Sequence, residues 1–135
     1  MANTINTGRQ YTLVVEQPFD FQDLVTANLS GGKVKFKPKL PQGAIPLRGQ
    51  VVVLSAFNGT TPTLAVAGET TSATYAAAAS LASVGSVALT VTPSKLASGD
   101  VIGLTPNAGA QTATQGSGIL VMEYLISGRG MEAQP

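Results

Sequence analysis

The chain has 135 residues, a formal net charge of +1 and 11% charged residues, whereas typical soluble domains have about 25%. It contains no His, Cys or Trp, which excludes disulfides, Cys- or His-ligated zinc and His- or Cys-dependent catalysis. The length is that of one domain, and the near-zero net charge produces no general attraction to nucleic acid or membranes. This composition predicts a domain whose sparsely charged surface is largely covered by other protein.

The few carboxylates do not form a recognisable catalytic or metal-binding motif. Glu16, Asp20 and Asp23 are the closest group, and their spacing does not match a calcium-binding loop. We expect Asp20 and Asp23 to cap turns or face solvent. No metal, no cofactor and no enzymatic activity are predicted. The sequence also shows no signal peptide and no apolar run of membrane-spanning length. We therefore expect the protein to be made in the cytoplasm and not to associate with membranes.

The first elements in chain order are a flexible arm and a short strand. The arm is predicted over residues 1–9. The strand is predicted over residues 10–16 with Tyr11, Leu13 and Val15 on one face, and Pro18 is expected to interrupt it. A Ser-Gly-Gly turn follows at residues 30–32.

Residues 33–40 have the clearest two-residue alternation in the chain and predict one half-buried strand. Pro38 cannot donate a sheet hydrogen bond, so this strand is expected at a sheet edge. Two interpretations stay open: the lysines protect an exposed edge, or they dock on an acidic partner. A nucleic-acid site is disfavoured, because only Phe36 supplies a nearby ring. The candidate docking residues are Lys33, Lys35, Lys37 and Lys39, with Val34, Phe36, Pro38 and Leu40 on the opposite face.

The second half of the chain predicts further strands. Residues 50–57 read as a central strand buried on both faces, with Val52 in the core and a hairpin through Asn58-Gly59 to residues 63–67. The remaining expectations are a possible short helix in 71–81, strands over 84–92, 100–105 and 118–127, a polar loop over 107–118 and a tail over 128–135. Together they predict an all-β domain over residues 10–127, a β-sandwich or jelly roll of about seven or eight antiparallel strands with at most one short helix.

Three segments carry a resemblance to a known family: FDFQDL at 19–24, LPQGAI with VVV and AFN within 40–58, and MEYLISGRG at 122–130. Together they resemble the jelly-roll cement, or decoration, proteins that bind the outside of tailed-phage capsids. The uncharged residues 70–94 depart from that family, which carries more acidic residues there.

The resemblance implies a non-enzymatic virion protein, made in the host cytoplasm, that decorates and stabilises a capsid in many copies. Its implied partners are the major capsid protein or another virion protein, and its implied state is a homodimer or homotrimer. Three alternatives stay open: a phage fibre or head-spike protein, a carbohydrate-binding module, and a tail or head-completion component. Sugar binding requires exposed aromatic clusters, whereas most of the seven aromatic residues here are expected in the core.

Overall fold

The computed structural model describes residues 12–126, which form ten strands, two four-residue helices and one 3-10 turn. The strands β1 to β10 and the helices α1 and α2 have the following bounds: β1 Leu13–Asp20, α1 Phe21–Leu24, the 3-10 turn Thr26–Asn28, β2 Leu29–Ser30, β3 Lys33–Val34, β4 Lys39–Leu40, β5 Ala44–Ser55, β6 Thr63–Gly68, β7 Thr74–Ser80, β8 Gly85–Ala88, β9 Asp100–Pro106, α2 Ala108–Gln111 and β10 Ser117–Ile126.

Two four-stranded sheets contain eight of these strands, in the orders β1-β10-β5-β8 and β4-β9-β6-β7, and the strands β2 and β3 form a separate hairpin. All pairs are antiparallel. If β2 and β3 are left out and the other eight strands are numbered from one to eight in chain order, the first sheet has the order 1-8-3-6 and the second has the order 2-7-4-5. This is the strand order of a jelly roll, and the predicted fold class is confirmed.

The core lies between the two sheets, and alternate residues of each strand enter it. In β6 the buried residues are Leu64, Val66 and Gly68, and in β10 they include Leu120 and Met122. The alternation follows from the two-residue period of a strand with one face covered. The rings of Phe19 and Phe57 stack within this core with centroids 5.9 Å apart.

The predicted hairpin between residues 50–57 and 63–67 is wrong. The strand β5 pairs with β10 and β8, whereas β6 pairs with β7 and β9 in the other sheet. The Asn58-Gly59 segment is therefore a crossover between sheets. The side-chain carbonyl of Asn58 accepts hydrogen bonds from the N–H groups of Thr114 at 2.7 Å and Gln115 at 3.3 Å, which hold the crossover against a distant loop.

The strand β5 is central, as predicted, but only one of its faces is fully buried. Val51 and Val53 face the core with exposed fractions of 0% and 1%, whereas Leu54 is 55% exposed. Val52 is half-buried on the outer face. The prediction of burial on both faces, with Val52 in the core, is wrong because one side of this sheet is not covered within residues 12–126.

The helical turn considered for residues 71–81 is a strand, β7. Tyr75 and Ala79 are buried, and the strand pairs with β6. The helix preference of alanine amounts to less than about 1 kcal/mol per residue. The sheet hydrogen bonds and the burial of the Tyr75 ring outweigh that preference.

The single strand predicted over residues 33–40 is two short strands, β3 and β4, in different sheets. Between them the alternation fails at Phe36, whose side chain is 63% exposed. The edge position is correct, because β4 is the first strand of its sheet. The alternation fails because the chain passes from the β2-β3 hairpin to a different sheet, in which β4 pairs with β9.

Pro18 does not interrupt the first strand, and this prediction is wrong as well. Pro18 lies inside β1 and faces Ile119 of β10. Because β1 is an edge strand, the missing N–H of Pro18 leaves no sheet partner unpaired. Leu13 and Val15 share the inner face as predicted.

The predicted loop at 107–118 contains α2, which begins after Asn107. The Asn107 side chain accepts from the N–H of Ala110 at 2.8 Å and from that of Thr63 at 3.0 Å. The arm predicted over residues 1–9 and the tail predicted over residues 128–135 lie outside the described residues.

Truncating a core leucine tests the sandwich. We expect Leu120→Ala to lower the free energy of unfolding by about 2–5 kcal/mol, because Leu120 is fully buried between the sheets. The matched control is Leu54→Ala, on the outer face of β5, which should change it by less than about 1 kcal/mol. Urea denaturation of both variants provides the comparison, and equal losses would contradict the assignment of faces.

Candidate docking surface

The four candidate lysines divide into two pairs with different environments. Lys33 and Lys37 both bind the Glu69 carboxylate, with nitrogen–oxygen distances of 3.2 Å and 3.0 Å. Lys35 and Lys39 are exposed and make no ion pair with any residue in 12–126. The structure therefore does not present four equivalent lysines on one face. It presents two bound cations and two available ones.

Glu69 reaches the lysines because it follows β6 and lies over β9. Its N–H donates to the Val101 carbonyl at 2.7 Å. A Cβ atom on Gly103 would lie 3.3 Å from Glu69 Cγ and 3.5 Å from Lys33 Cδ, so the ion pair rests directly on the Gly103 backbone. Sequence reasoning missed this contact, because Glu69 stands 36 residues after Lys33 without a local pattern linking them.

The two lysines also change the protonation of Glu69. Hydrogen bonds from Lys37, then from Lys33, hold the pKa of the Glu69 carboxyl below its ordinary value. Since the folded pKa is lowered, the pair contributes stability above the ordinary glutamate pKa and loses it as the pH falls through the folded value. The cluster is at the surface, so its main effect is to position the 33–37 segment.

The side chain of Phe36 is exposed, directly after Lys35 and three residues before Lys39 in the chain. A shallow groove of about 240 Å³ lies next to its ring and is lined by Asp23, Asn28, Val34 and Lys35 as well as Phe36. We define the candidate docking surface as Lys35, Phe36 and Lys39. An exposed aromatic ring in a segment with unpaired cations is a combination that suits an acidic and partly apolar partner.

The acidic residues near the groove act as helix caps. The Asp20 side chain accepts hydrogen bonds from the N–H groups of Gln22 and Asp23, and the Asp23 side chain accepts from the N–H of Asp20. This capping box at the start of α1 confirms the expected turn-capping role. Among residues 12–126 no group of three or more acidic side chains is placed to hold a metal ion.

A second surface feature is an apolar strip on the outer face of the β1-β10-β5-β8 sheet. Pro18, Ile119 and Val52 are neighbours in register across β1, β10 and β5. Arg48 and Glu123 form an ion pair four residues further along β5 and β10. The strip is an alternative contact surface to the lysine segment.

Among residues 12–126, Asp100 is the one charged residue buried in the core, with an exposed fraction of 2%. Its Oδ2 atom accepts hydrogen bonds from the hydroxyls of Tyr75 and Thr71, both at 2.8 Å. Its Oδ1 atom accepts from the N–H groups of Thr70, Thr71 and Val101 at 3.1, 3.4 and 2.9 Å. Five donors saturate the carboxylate, so its arrangement is structural rather than that of a free base or nucleophile.

The surroundings of Asp100 are too tight for other side chains. A Cβ atom on Gly68 would lie 2.0 Å from Asp100 Oδ2. Burial, followed by the hydrogen bond to Asp100, raises the pKa of the Tyr75 hydroxyl. That hydroxyl therefore remains a donor to Asp100 beyond the ordinary tyrosine pKa. Outside the network lies an open groove of about 610 Å³ lined mainly by Thr, Ser and Ala, with Lys95 as its one charged side chain.

Solved structures of phage capsids contain chains with a similar fold. The structure is similar to a chain in the capsid asymmetric unit of cyanophage Pam1, with a TM-score of 0.62, 21% identity and coverage of 85% of this chain and 84% of that chain. It is also similar to a chain in the acidic stable capsid structure of Helicobacter pylori bacteriophage KHP30, with a TM-score of 0.59, 16% identity and coverage of 87% and 89%. A third similar chain, in the capsid of Ralstonia phage GP4, has a TM-score of 0.53, 20% identity and coverage of 91% and 94%.

These matches show that the chain has a fold found in phage capsid structures, over nearly the full length of the chains compared. No family model matches the chain, and no curated protein matches it. No helix within residues 12–126 is long and apolar enough to cross a membrane.

Neutralising the buried carboxylate tests its structural role. We expect Asp100→Asn to lower the free energy of unfolding by about 3 kcal/mol. The asparagine NH₂ group would replace an oxygen that accepts hydrogen bonds, so it would face the donating hydroxyls of Tyr75 and Thr71 with a second donor. The matched control is Asp20→Asn, which retains an effective helix cap and should cost less than about 1 kcal/mol. Similar losses in thermal or urea unfolding would show that Asp100 has no special role.

The Glu69 cluster yields a pH prediction. An NMR titration should place the pKa of the Glu69 carboxyl below its ordinary value, and the Lys33→Gln/Lys37→Gln variant should move it back upward. The Lys35→Gln/Lys39→Gln variant has the same change in charge and should leave that pKa nearly unchanged. An equal rise in both variants would contradict the division of the lysines into bound and available pairs.

Proposed function

We propose that this chain is a non-enzymatic virion structural protein that decorates a phage capsid and stabilises it by binding the shell in many copies. The observation that carries the proposal is the jelly roll shared with chains of three phage capsid structures, with 84–94% of those chains covered. The sequence resemblance to cement proteins supports the same function. The saturated Asp100 carboxylate and the absence of His and Cys support a role without catalysis.

The docking surface supplies a means of attachment. Lys35 and Lys39 carry charges that form no ion pair within residues 12–126, and the exposed Phe36 ring lies between them in the chain. An acidic, partly apolar patch of the major capsid protein or of another virion protein would pair with the charges and cover the ring. Aromatic side chains in such positions typically dominate binding energy, while the surrounding charges increase the rate of association and the specificity.

In this proposal the two lysines that bind Glu69 do not contact the partner but hold the segment in position. Lys33 and Lys37 fix the segment to Glu69, so the docking surface is held in place before the partner arrives. Less conformational entropy is then lost on binding. Because the shell repeats the same site many times, a modest affinity for each site is sufficient if copies are linked.

Binding to capsids assembled without this protein tests the proposal. Electron microscopy and co-sedimentation should show regular addition of the wild-type chain to the outside of the particle. Bound copies should raise the temperature at which the capsid opens. The absence of binding at any ionic strength would overturn the proposed function.

Matched charge variants test the docking surface. We expect Lys35→Gln/Lys39→Gln to weaken capsid binding by tenfold or more and to reduce its dependence on salt. The control Lys33→Gln/Lys37→Gln removes the same charge and should weaken binding less. Phe36→Ala should weaken binding at all salt concentrations. Wild-type affinity in all three variants would assign the contact to another surface, such as the apolar strip, and would leave the capsid function intact.

A further inference from the structure

The four edge strands of the sandwich differ in how they are protected against pairing. The strand β4 carries Lys39 between Pro38 and Pro41, and β1 carries Glu16 and Pro18. Charges and prolines at such positions discourage the addition of another strand. The strand β7 is an edge strand of seven residues with neither a charge nor a proline.

The outer edge of β7 also has unused hydrogen-bonding groups. The strand β6 occupies one side. On the other side, the Tyr75 carbonyl accepts from the N–H of Thr90 at 2.8 Å, and no further backbone partner is found there within residues 12–126. Ala77, Ala78 and Ser80 are exposed along this edge. A row of unpaired N–H and C=O groups is a template for another strand.

The fourth edge strand, β8, is a poorer template. It has four residues, and Gly85 at its start has a φ of +144°, which departs from extended backbone. Val84, in the turn between β7 and β8, is 68% exposed. Of the two edge strands without a charge or a proline, β7 is the longer and therefore the better template.

Charge decides which occupant fits this edge. Residues 70–94 contain no charged side chain, so an acidic or basic partner strand would find no counter-charge. An antiparallel pair formed by β7 with itself places uncharged residues opposite uncharged residues and avoids the repulsion of like charges in cross-strand pairs. A second copy of this chain supplies that strand.

We propose that two copies associate through antiparallel pairing of β7 with β7 about a two-fold axis. The β4-β9-β6-β7 sheets then join into one sheet of eight strands, with β4 at both ends. Seven strand spacings place the two β4 strands about 34 Å apart. If the proposed capsid function holds, this dimer carries two docking surfaces at opposite ends and bridges two sites on the shell.

The oligomeric state of edge variants tests the pairing. Sedimentation and light scattering over a range of concentrations should show a wild-type dimer. We expect Ala78→Lys to shift the dimer to monomer by placing like charges near the two-fold axis. The matched control Ala88→Lys, on the exposed edge strand β8, should remain dimeric. Circular dichroism should show that both variants keep the β fold.

Three results would overturn the proposal. They are a wild-type chain that is monomeric at all concentrations, a closed trimer, and a dimer that Ala88→Lys dissociates while Ala78→Lys does not. If Ala78→Lys fails to fold, a distance measurement decides instead. The chain has no Cys, so Lys39→Cys accepts a single spin label in each copy. Lys39 is level with Glu69, about four residues or about 13 Å along the sheet from Ala78, and the two copies are displaced in opposite directions. With the β4 strands about 34 Å apart, the two labels should be separated by about 43 Å plus the reach of their linkers. A clearly different distance would contradict β7 pairing.

Capsid binding separates this inference from the proposed function. The monomeric Ala78→Lys variant should still bind capsids, with an affinity reduced by tenfold or more because avidity is lost. The Lys35→Gln/Lys39→Gln variant should remain dimeric and bind capsids at least tenfold more weakly than the wild type. A wild-type dimer that binds no capsid would overturn the function and leave the β7 pairing in place.

Discussion

The buried Asp100 carboxylate is the interaction on which the β4-β9-β6-β7 sheet depends. A charge in the core is costly unless donors surround it, and five donors do so here. They come from the loop after β6, from Tyr75 of β7 and from the start of β9. The carboxylate therefore joins β9 to β7 and to the loop after β6, and the Asp100 residue is also paired in register with Leu40 of β4.

This network is also connected to the segment that we propose as the docking surface. Thr70 and Thr71, held by Asp100, directly follow Glu69, and the Glu69 N–H is bound to the Val101 carbonyl. Glu69 in turn binds Lys33 and Lys37. A chain of contacts therefore runs from the core to the surface segment that carries Lys35 and Phe36. Rigid support of this kind lowers the entropy lost when a partner binds.

The two edges of the same sheet have opposite properties. The β4 edge is charged and rich in proline, whereas β7 is uncharged and open. In our interpretation, one edge meets the capsid shell and the other meets a second copy. Both contacts use the perimeter of the sandwich. A protein that works by repeated attachment requires surfaces of this kind and no catalytic cleft.

The sequence by itself determined the features that depend on neighbouring residues. Two-residue alternation and frequent Gly and Pro predicted an all-β sandwich, and Gly31-Gly32 predicted the turn between β2 and β3, where both glycines adopt positive φ. The caps formed by Asp20 and Asp23 were also predictable. These features are governed by backbone sterics and short-range hydrogen bonds.

Only the tertiary structure decided which strands pair and which residues reach the surface. The hairpin predicted around Asn58-Gly59 became a crossover between sheets, and the alanines of β7 entered a strand. The Glu69 carboxylate binds Lys33 and Lys37. The Phe36 side chain is exposed, although the alternation in the sequence grouped it with the apolar face. The physical reason is the same in each case. Sheet pairing and ion pairs join residues that are distant in sequence, and the free energy of those contacts outweighs local preferences of less than about 1 kcal/mol.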